Sequence, residues 1–206
     1  FMQIMSGAPS VKCDSGDVND PVEGPNNDGK DAFKAEGLAM PWKWVTGNHD
    51  VLIVGTTPVT DDVRAQAVGT SAPTGTRDYS RPGAPIFNGP VVPDPKRLPL
   101  RRAEVMALVA ADKDGHGLGE AQKASGKAFY SFDIEGTPLR FIAIDTCNEF
   151  GDSEGIMHRP DMNGVLKQLL DQAKADHKAV VLASHHATDS LSDGSGFGGT
   201  KQADAV

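Results

Sequence analysis

The pattern that most restricts the fold of this chain lies in residues 128–146. "AFYSFDI" at 128–134 and "LRFIAIDT" at 139–146 are rich in aromatic and β-branched residues, and the turn sequence "EGTP" joins them. Two such stretches around a short turn predict an antiparallel hairpin. The nearly continuous apolar run "FIAI" predicts that the second strand is covered on both faces.

A helix and a further strand follow this hairpin. The segment 161–177 predicts a helix because its apolar residues recur at helical spacing: Val165, Leu166, Leu169, Leu170 and Ala173. "KAVVLAS" at 178–184 then predicts a buried strand that runs directly into His185 and His186. A strand, a helix and a strand in this order are typical of a layered α/β domain.

The rest of the 206 residues predicts one domain with many loops, since Gly (23) and Pro (14) are frequent. Residues 29–39 have weak helical spacing, and "PWKWV" at 41–45 predicts a short strand. Residues 70–99 predict a long irregular insertion. Residues 100–111 predict a helix, and "DKDGHGLGE" at 112–120 predicts a surface loop whose spacing does not fit a calcium loop.

Composition excludes several classes of function. The formal charge of −8 disfavours non-specific binding to nucleic acid or to anionic membranes. No apolar run approaches the length of a membrane span. Cys13 and Cys147 form no CxxC pair; we predict two unpaired thiols, although one disulfide stays open. The sequence assigns neither an oligomeric state nor a compartment, and an extracytoplasmic location is compatible with it.

Polar residues of similar kinds follow three predicted strand ends or turns. The first group is "SGDVNDP", with Asp17 and Asp20, the second is "TGNHD" at 46–50, and the third is "ASHHAT" at 183–188. Ligand sites in α/β sheets gather beyond the carboxyl ends of the strands. Carboxylate, amide oxygen and imidazole together suit divalent metals, and two such ions favour displacement at phosphorus.

The ordered motifs "GDVND" (16–20), "GNHD" (47–50) and "SHH" (184–186) resemble those of the calcineurin-like metallophosphoesterases. The hairpin that leads to a strand ending in Asp-Thr resembles that family as well. This resemblance implies a four-layer α/β/β/α sandwich in a single domain over residues 1–206. It also implies a binuclear centre of Mn, Fe, Zn or similar ions that hydrolyses a small-molecule phosphoester, as a phosphomonoesterase or a phosphodiesterase.

The resemblance also implies roles for individual residues. Asp17, Asn48 and His185 would be metal ligands, with Asp17 bridging two ions. Asp20 would only stabilise the loop. His49 would protonate the leaving oxygen, and Asp50 would orient His49 by a hydrogen bond. From their positions in the chain, His186, His158 and Arg159 are candidates for substrate contacts, although His186 could instead simply pack and His158 fits a solvated loop better. His177 is expected to be structural near a helix end.

Two motifs of the family, an early D-x-H and a late G-H-x-H, are missing from this sequence. We therefore expect the domain to be incomplete at both ends and residues 1–206 alone to be inactive. The alternative is a catalytically degenerate binding or structural module on the same fold. The sequence does not separate monoester from diester substrates.

Overall fold

A computed structural model describes residues 8–11, 33–73, 88–90 and 92–195. The strands are β1 (Ala8–Val11), β2 (Phe33–Ala35), β3 (Ser71–Pro73), β4 (Asn88–Pro90), β5 (Tyr130–Asp133), β6 (Leu139–Ala143) and β7 (Ala179–Ala183). The helices are α1 (Asn48–Val51), α2 (Asp61–Val68), α3 (Arg102–Ala110), α4 (Glu120–Ser125), α5 (Arg159–Asp161) and α6 (Lys167–Ala175). A π-helical turn, Met162–Leu166, joins α5 to α6.

The main sheet has the strand order β5-β6-β7. β5 and β6 pair antiparallel, with Tyr130 opposite Ala143, and β6 and β7 pair parallel, with Ala143 opposite Ala183. The predicted hairpin and the following strand are thus confirmed. Because β6 and β7 run in the same direction, both end at the same edge of the sheet, and their following residues are neighbours.

Both faces of β6, the central strand of this sheet, are covered. Successive residues of β6 alternate between faces, so that Ala143 joins one apolar cluster while Ile142 joins another. The first cluster contains residues of α3 and of the segment before α1, such as Met106 and Trp44. The second contains the helical segment 159–175 through Leu166. The described residues therefore form a mixed α/β structure around a three-stranded sheet.

The helices predicted at 100–111 and 161–177 are confirmed by α3 and by the segment α5–π turn–α6. Glu104 stabilises the start of α3, since its carboxylate accepts from the Arg101 backbone N–H over 2.7 Å. Helix α2 was not predicted. Its Thr60 cap, which accepts from Val63 N over 3.3 Å, was a sequence signal that could have located it.

Four local predictions are wrong. Residues 41–45 form no strand, and residues 33–35 form a strand rather than a helix. β7 is not buried: it is the edge strand among the described residues, and Val181 and Leu182 are exposed. The loop 112–120 is not simply a surface loop, because His116 is buried and stacks on Trp42.

The remaining strands form two small antiparallel pairs, β1 with β2 and β3 with β4. The second pair lies inside the predicted insertion 70–99, of which 74–87 and 91 fall outside the described residues. In the described ranges, no helix has both the length and the apolar composition that crossing a bilayer requires.

Candidate functional site

Three segments that are distant in sequence meet at the end of the main sheet. They are residues 46–50, residues 145–147 after β6 and residues 184–186 after β7. The family-like motifs "GNHD" and "SHH" supply two of the three. The third predicted group, with Asp17 and Asp20, lies outside the described residues.

Side-chain hydrogen bonds join the three segments to one another. The Cys147 thiol donates to the Thr46 carbonyl oxygen over 3.3 Å, and Thr146 Oγ1 lies 2.8 Å from His186 Nδ1. Asn48 Oδ1 lies 3.1 Å from His185 Nε2. Each segment is therefore hydrogen-bonded to both of the others, and these bonds hold the three segments in a fixed arrangement.

The side-chain amide of Asn48 has one defined orientation. Asn48 is buried, and its Nδ2 donates to the Gly55 carbonyl oxygen over 2.9 Å. A carbonyl only accepts hydrogen bonds, so the amide nitrogen faces Gly55 and Oδ1 faces His185. The oxygen that would bind a cation is therefore turned toward the imidazole.

The spacing of Asn48 Oδ1 and His185 Nε2 fits two ligands of one metal ion. Nitrogen and oxygen ligands lie about 2.0–2.2 Å from ions such as zinc, so two ligands of one ion are about 3.0 Å apart at a right angle and about 3.4 Å apart in a tetrahedral site. The observed separation is 3.1 Å. Across the described ranges, however, no three His, Cys, Asp or Glu side chains gather as a metal site. The described part of the chain thus contributes a pair of donors.

His49 is exposed and lies over Gly55. A Cβ at Gly55 would be 2.5 Å from His49 Nε2 and 2.6 Å from Asn48 Nδ2. Both nitrogens are therefore close to the same point and hence to each other. Gly55, whose φ is +74°, leaves space for both side chains.

Asp50 stabilises the start of the one-turn helix α1. Its Oδ2 accepts a hydrogen bond from the backbone N–H of Gly47 over 2.8 Å. Gly47 also lies against His185, since a Cβ there would be 3.1 Å from the imidazole Nδ1. In the described structure Asp50 thus fixes the loop backbone beside the His185 ring, and its orientation of His49 stays a prediction.

Both ring nitrogens of His186 are bonded to protein groups. Nε2 lies 3.1 Å from the Ser153 carbonyl oxygen, so Nε2 carries the proton, and Nδ1 then accepts from the Thr146 hydroxyl over 2.8 Å. Burial lowers the pKa of His186, and the neighbouring His185 lowers it further. His186 therefore holds the loop after β6 as a neutral side chain.

A buried ion pair anchors the end of β6. Asp145 Oδ2 accepts from Arg102 Nη2 over 2.9 Å and from the Ala128 N–H over 3.0 Å. Its Oδ1 accepts from the Cys147 N–H over 3.1 Å. Asp145 thereby ties the first turn of α3 to the strand end that carries Thr146.

His158 and Arg159 lie at the start of α5. Within the described structure, their hydrogen bonds do not connect them to Asn48 or His185. Arg159 donates to Asp193 through Nε and Nη2, over 3.2 and 3.1 Å. His158 Nε2 is buried without a hydrogen-bond partner among the described residues. Their role in substrate binding stays a prediction.

No protein-family model, no curated protein and no solved structure matches this chain. The assignment of a function to the site therefore rests on its own geometry and on the sequence motifs.

Sequence reasoning missed the residues that hold the donors in position. Gly55 was not singled out, and Asp145 and Thr146 were noted only as the Asp-Thr end of a strand, without a supporting role. No local sequence pattern identified Gly55. Its importance comes from its positive φ and from the close approach of His49 and Asn48 to its backbone.

Proposed function

We propose that this chain is part of a metal-dependent phosphoester hydrolase with a binuclear centre, on a four-layer α/β/β/α sandwich. The observation that carries the proposal is the 3.1 Å approach of Asn48 Oδ1 to His185 Nε2, with His49 beside them. These residues belong to the two motifs that resemble the metallophosphoesterases. The three-stranded sheet is compatible with half of such a sandwich.

The chemistry of the donor set fits borderline divalent ions such as Mn, Fe or Zn. Asn48 and His185 would hold one ion, and Asp17 would bridge it to a second one. When bound, a pair of ions supplies charge for the phosphoryl oxygens and lowers the pKa of water. The missing D-x-H and G-H-x-H motifs would supply the remaining ligands, so we expect residues 1–206 alone to bind metal weakly and to be inactive.

His49 would act as the proton donor to the departing oxygen. Its imidazole is exposed to an incoming substrate, and its Nε2 lies next to the Asn48 amide. A proton donor must reach the leaving oxygen while the phosphoryl group is held, which requires it to be close to the metal ligands without being one. The position of His49 Nε2 beside the Asn48 side chain supports this role.

The proposal is tested on the complete gene product that carries residues 1–206, with Mn²⁺ or Zn²⁺ added. We expect hydrolysis of p-nitrophenyl phosphate or bis(p-nitrophenyl) phosphate, and its loss on chelation. Asn48→Ala should lower metal content and activity together. The control Asn163→Ala changes an exposed residue on the helical segment 159–175 and should alter neither quantity. Metal binding without hydrolysis would favour the binding-module alternative, and unchanged metal content in Asn48→Ala would refute the site.

A further inference from the structure

Val54 has an unfavourable backbone conformation in an exposed turn. Its φ is +45°, which is unfavourable for a β-branched residue because Cβ crowds the backbone. The side chain is 74% exposed, so the strain is not offset by burial. Asn or Gly would fit this position without the same crowding. An exposed apolar side chain in such a conformation makes this turn a candidate surface for contact with a ligand.

The turn that carries Val54 adjoins the candidate site. Ile53 and Thr57 form an isolated β-bridge that closes the turn. Within it, Gly55 lies against His49 and Asn48. Val54 is therefore the residue next to the contact that positions the proposed proton donor.

A second exposed apolar residue lies on the loop that packs against the same turn. Phe150 is 76% exposed, and its ring lies edge-on to His158, with the ring centroids 6.1 Å apart. Its neighbour Gly151 touches the turn, since a Cβ there would be 2.7 Å from the Thr56 carbonyl oxygen, to which the Asp152 N–H donates over 2.8 Å. Ser153 of the same loop accepts from His186. The loop thus joins the turn at His49 to the end of β7.

We propose that Val54 and Phe150 form an apolar rim of the site, and that the rim binds a neutral, apolar leaving group of the substrate. This inference rests on the proposed function. Apolar side chains cannot offset the cost of removing a phosphoryl group from water. They would instead contact the carbon skeleton to which the phosphoryl group is attached. His49 would act at the leaving oxygen, and the turn beside His49 therefore adjoins the leaving group.

The charges around Phe150 favour a neutral leaving group over an anionic one. Glu149, Asp152 and Glu154 are exposed on the same loop. A leaving group with further negative charge, such as a nucleotide, would meet these carboxylates at close range. A neutral aromatic or aliphatic alcohol would not be repelled and would remove the two apolar side chains from water.

The test measures ligand binding by calorimetry on the metal-loaded complete gene product, so that hydrolysis is not needed as a readout. Benzylphosphonate has a methylene in place of the ester oxygen and carries an aromatic group, whereas methylphosphonate presents the phosphonate almost alone. We expect benzylphosphonate to bind about 10-fold more tightly. In the double variant Val54→Asn/Phe150→Ser the preference should fall to about 2-fold, with methylphosphonate affinity unchanged.

Two variants keep this test interpretable. Val54→Asn alone should be at least as stable as the wild type, because Asn tolerates positive φ, and should lower the preference in part. Val92→Asn removes an equally exposed valine on another segment, before the turn Pro95–Arg97, and should leave the preference at the wild-type value.

Each contrary result has a distinct meaning. If methylphosphonate binds but benzylphosphonate shows no preference, or a preference that the rim variants keep, the rim proposal is wrong while the proposed function stands. If neither ligand binds, both fail. Concentration-dependent self-association that is lost in Phe150→Ser, without a benzyl preference, would assign this surface to a second copy of the chain and overturn the proposal.

Discussion

Asn48 Oδ1 and His185 Nε2 lie 3.1 Å apart although 137 positions separate the two residues in sequence. The Asn48 amide is held by Gly55, and His185 follows a strand that pairs in parallel with β6. Two independent parts of the fold therefore bring these donors together, and substitutions in either part should affect the same site.

Substitution of Gly55 separates backbone strain from loss of the site. Gly55→Ala and Gly136→Ala both place alanine at φ +74°, which costs about 1–2 kcal/mol of stability in each variant. Only at Gly55 would the new Cβ collide with Asn48 and His49, because nothing lies within 4 Å of a Cβ at Gly136. We expect Gly55→Ala alone to lose bound metal, measured by elemental analysis of the purified gene product. Equal metal contents would refute the role of Gly55.

Replacement of His49 should lower the rate without removing metal. His49→Ala should slow hydrolysis of substrates with poor leaving groups by about 10²–10⁴-fold, since those need a proton donor. Hydrolysis of nitrophenyl esters should fall much less. His177→Asn is the matched control, because His177 is exposed, has positive φ and lies after α6. Equal losses for good and poor leaving groups would contradict proton donation by His49.

Thr146→Val should destabilise the fold through His186. The substitution keeps the shape of the side chain but leaves Nδ1 of His186 without the hydroxyl that lies 2.8 Å away. Because His186 is half-buried, the loss should be on the order of 1 kcal/mol, at the low end for an unsatisfied acceptor, and urea unfolding would measure it. Thr188→Val, at an exposed position after β7, should have little effect. A negligible loss in Thr146→Val would indicate that the hydroxyl bond does not hold the loop.

Stability should depend on Asp133 at acid pH. Arg140 lowers the pKa of Asp133 to about 2 by direct hydrogen bonds, and Lys178 adds to this effect. A carboxyl whose pKa is lower in the folded state stabilises the fold above its unfolded pKa, near 3.8, and this contribution disappears as the pH falls toward 2.

Asp133→Asn should therefore be less stable than the wild type at pH 5, and the difference should shrink between pH 4 and 2. Urea midpoints measured across this range would show it. Glu135→Gln, at an exposed position in the same hairpin, should keep the acid dependence of the wild type. A constant difference between Asp133→Asn and the wild type at all these pH values would contradict the assignment.

The elements that sequence patterns predicted were those with strong local signals, such as β-prone composition or apolar runs. The hairpin of β5 and β6, helix α3 and strand β7 follow from residues that are adjacent in sequence. The failed strand at 41–45 has a different cause. Its Trp44 N–H donates to the carbonyl of His116, which has a φ of +46°, so the partner is an irregular loop that no periodicity indicates.

The sequence pointed to Asn48 and His185, which the structure brings together, but not to the residues that support them. The role of the two residues as metal ligands stays a prediction. Asn48 and His185 were identified because their motifs have a defined order. The Thr146–His186 bond and the turn of Gly55 depend on tertiary contacts, which leave no spacing in the sequence. The exposure of β7 was also unpredictable. An apolar sequence such as that of β7 occurs both in central strands and in edge strands.

The reactivity of the Cys147 thiol can be used to measure motion at this edge of the sheet. It is buried and bonded to Thr46, and burial raises its pKa to about 12. Alkylating reagents attack the thiolate, which is scarce at this pKa while the segments stay closed. Once Cys13 is replaced, modification of Cys147 would occur only in molecules whose 46–50 segment has separated from β6. The labelling rate would then report how often the segments 46–50 and 145–147 separate.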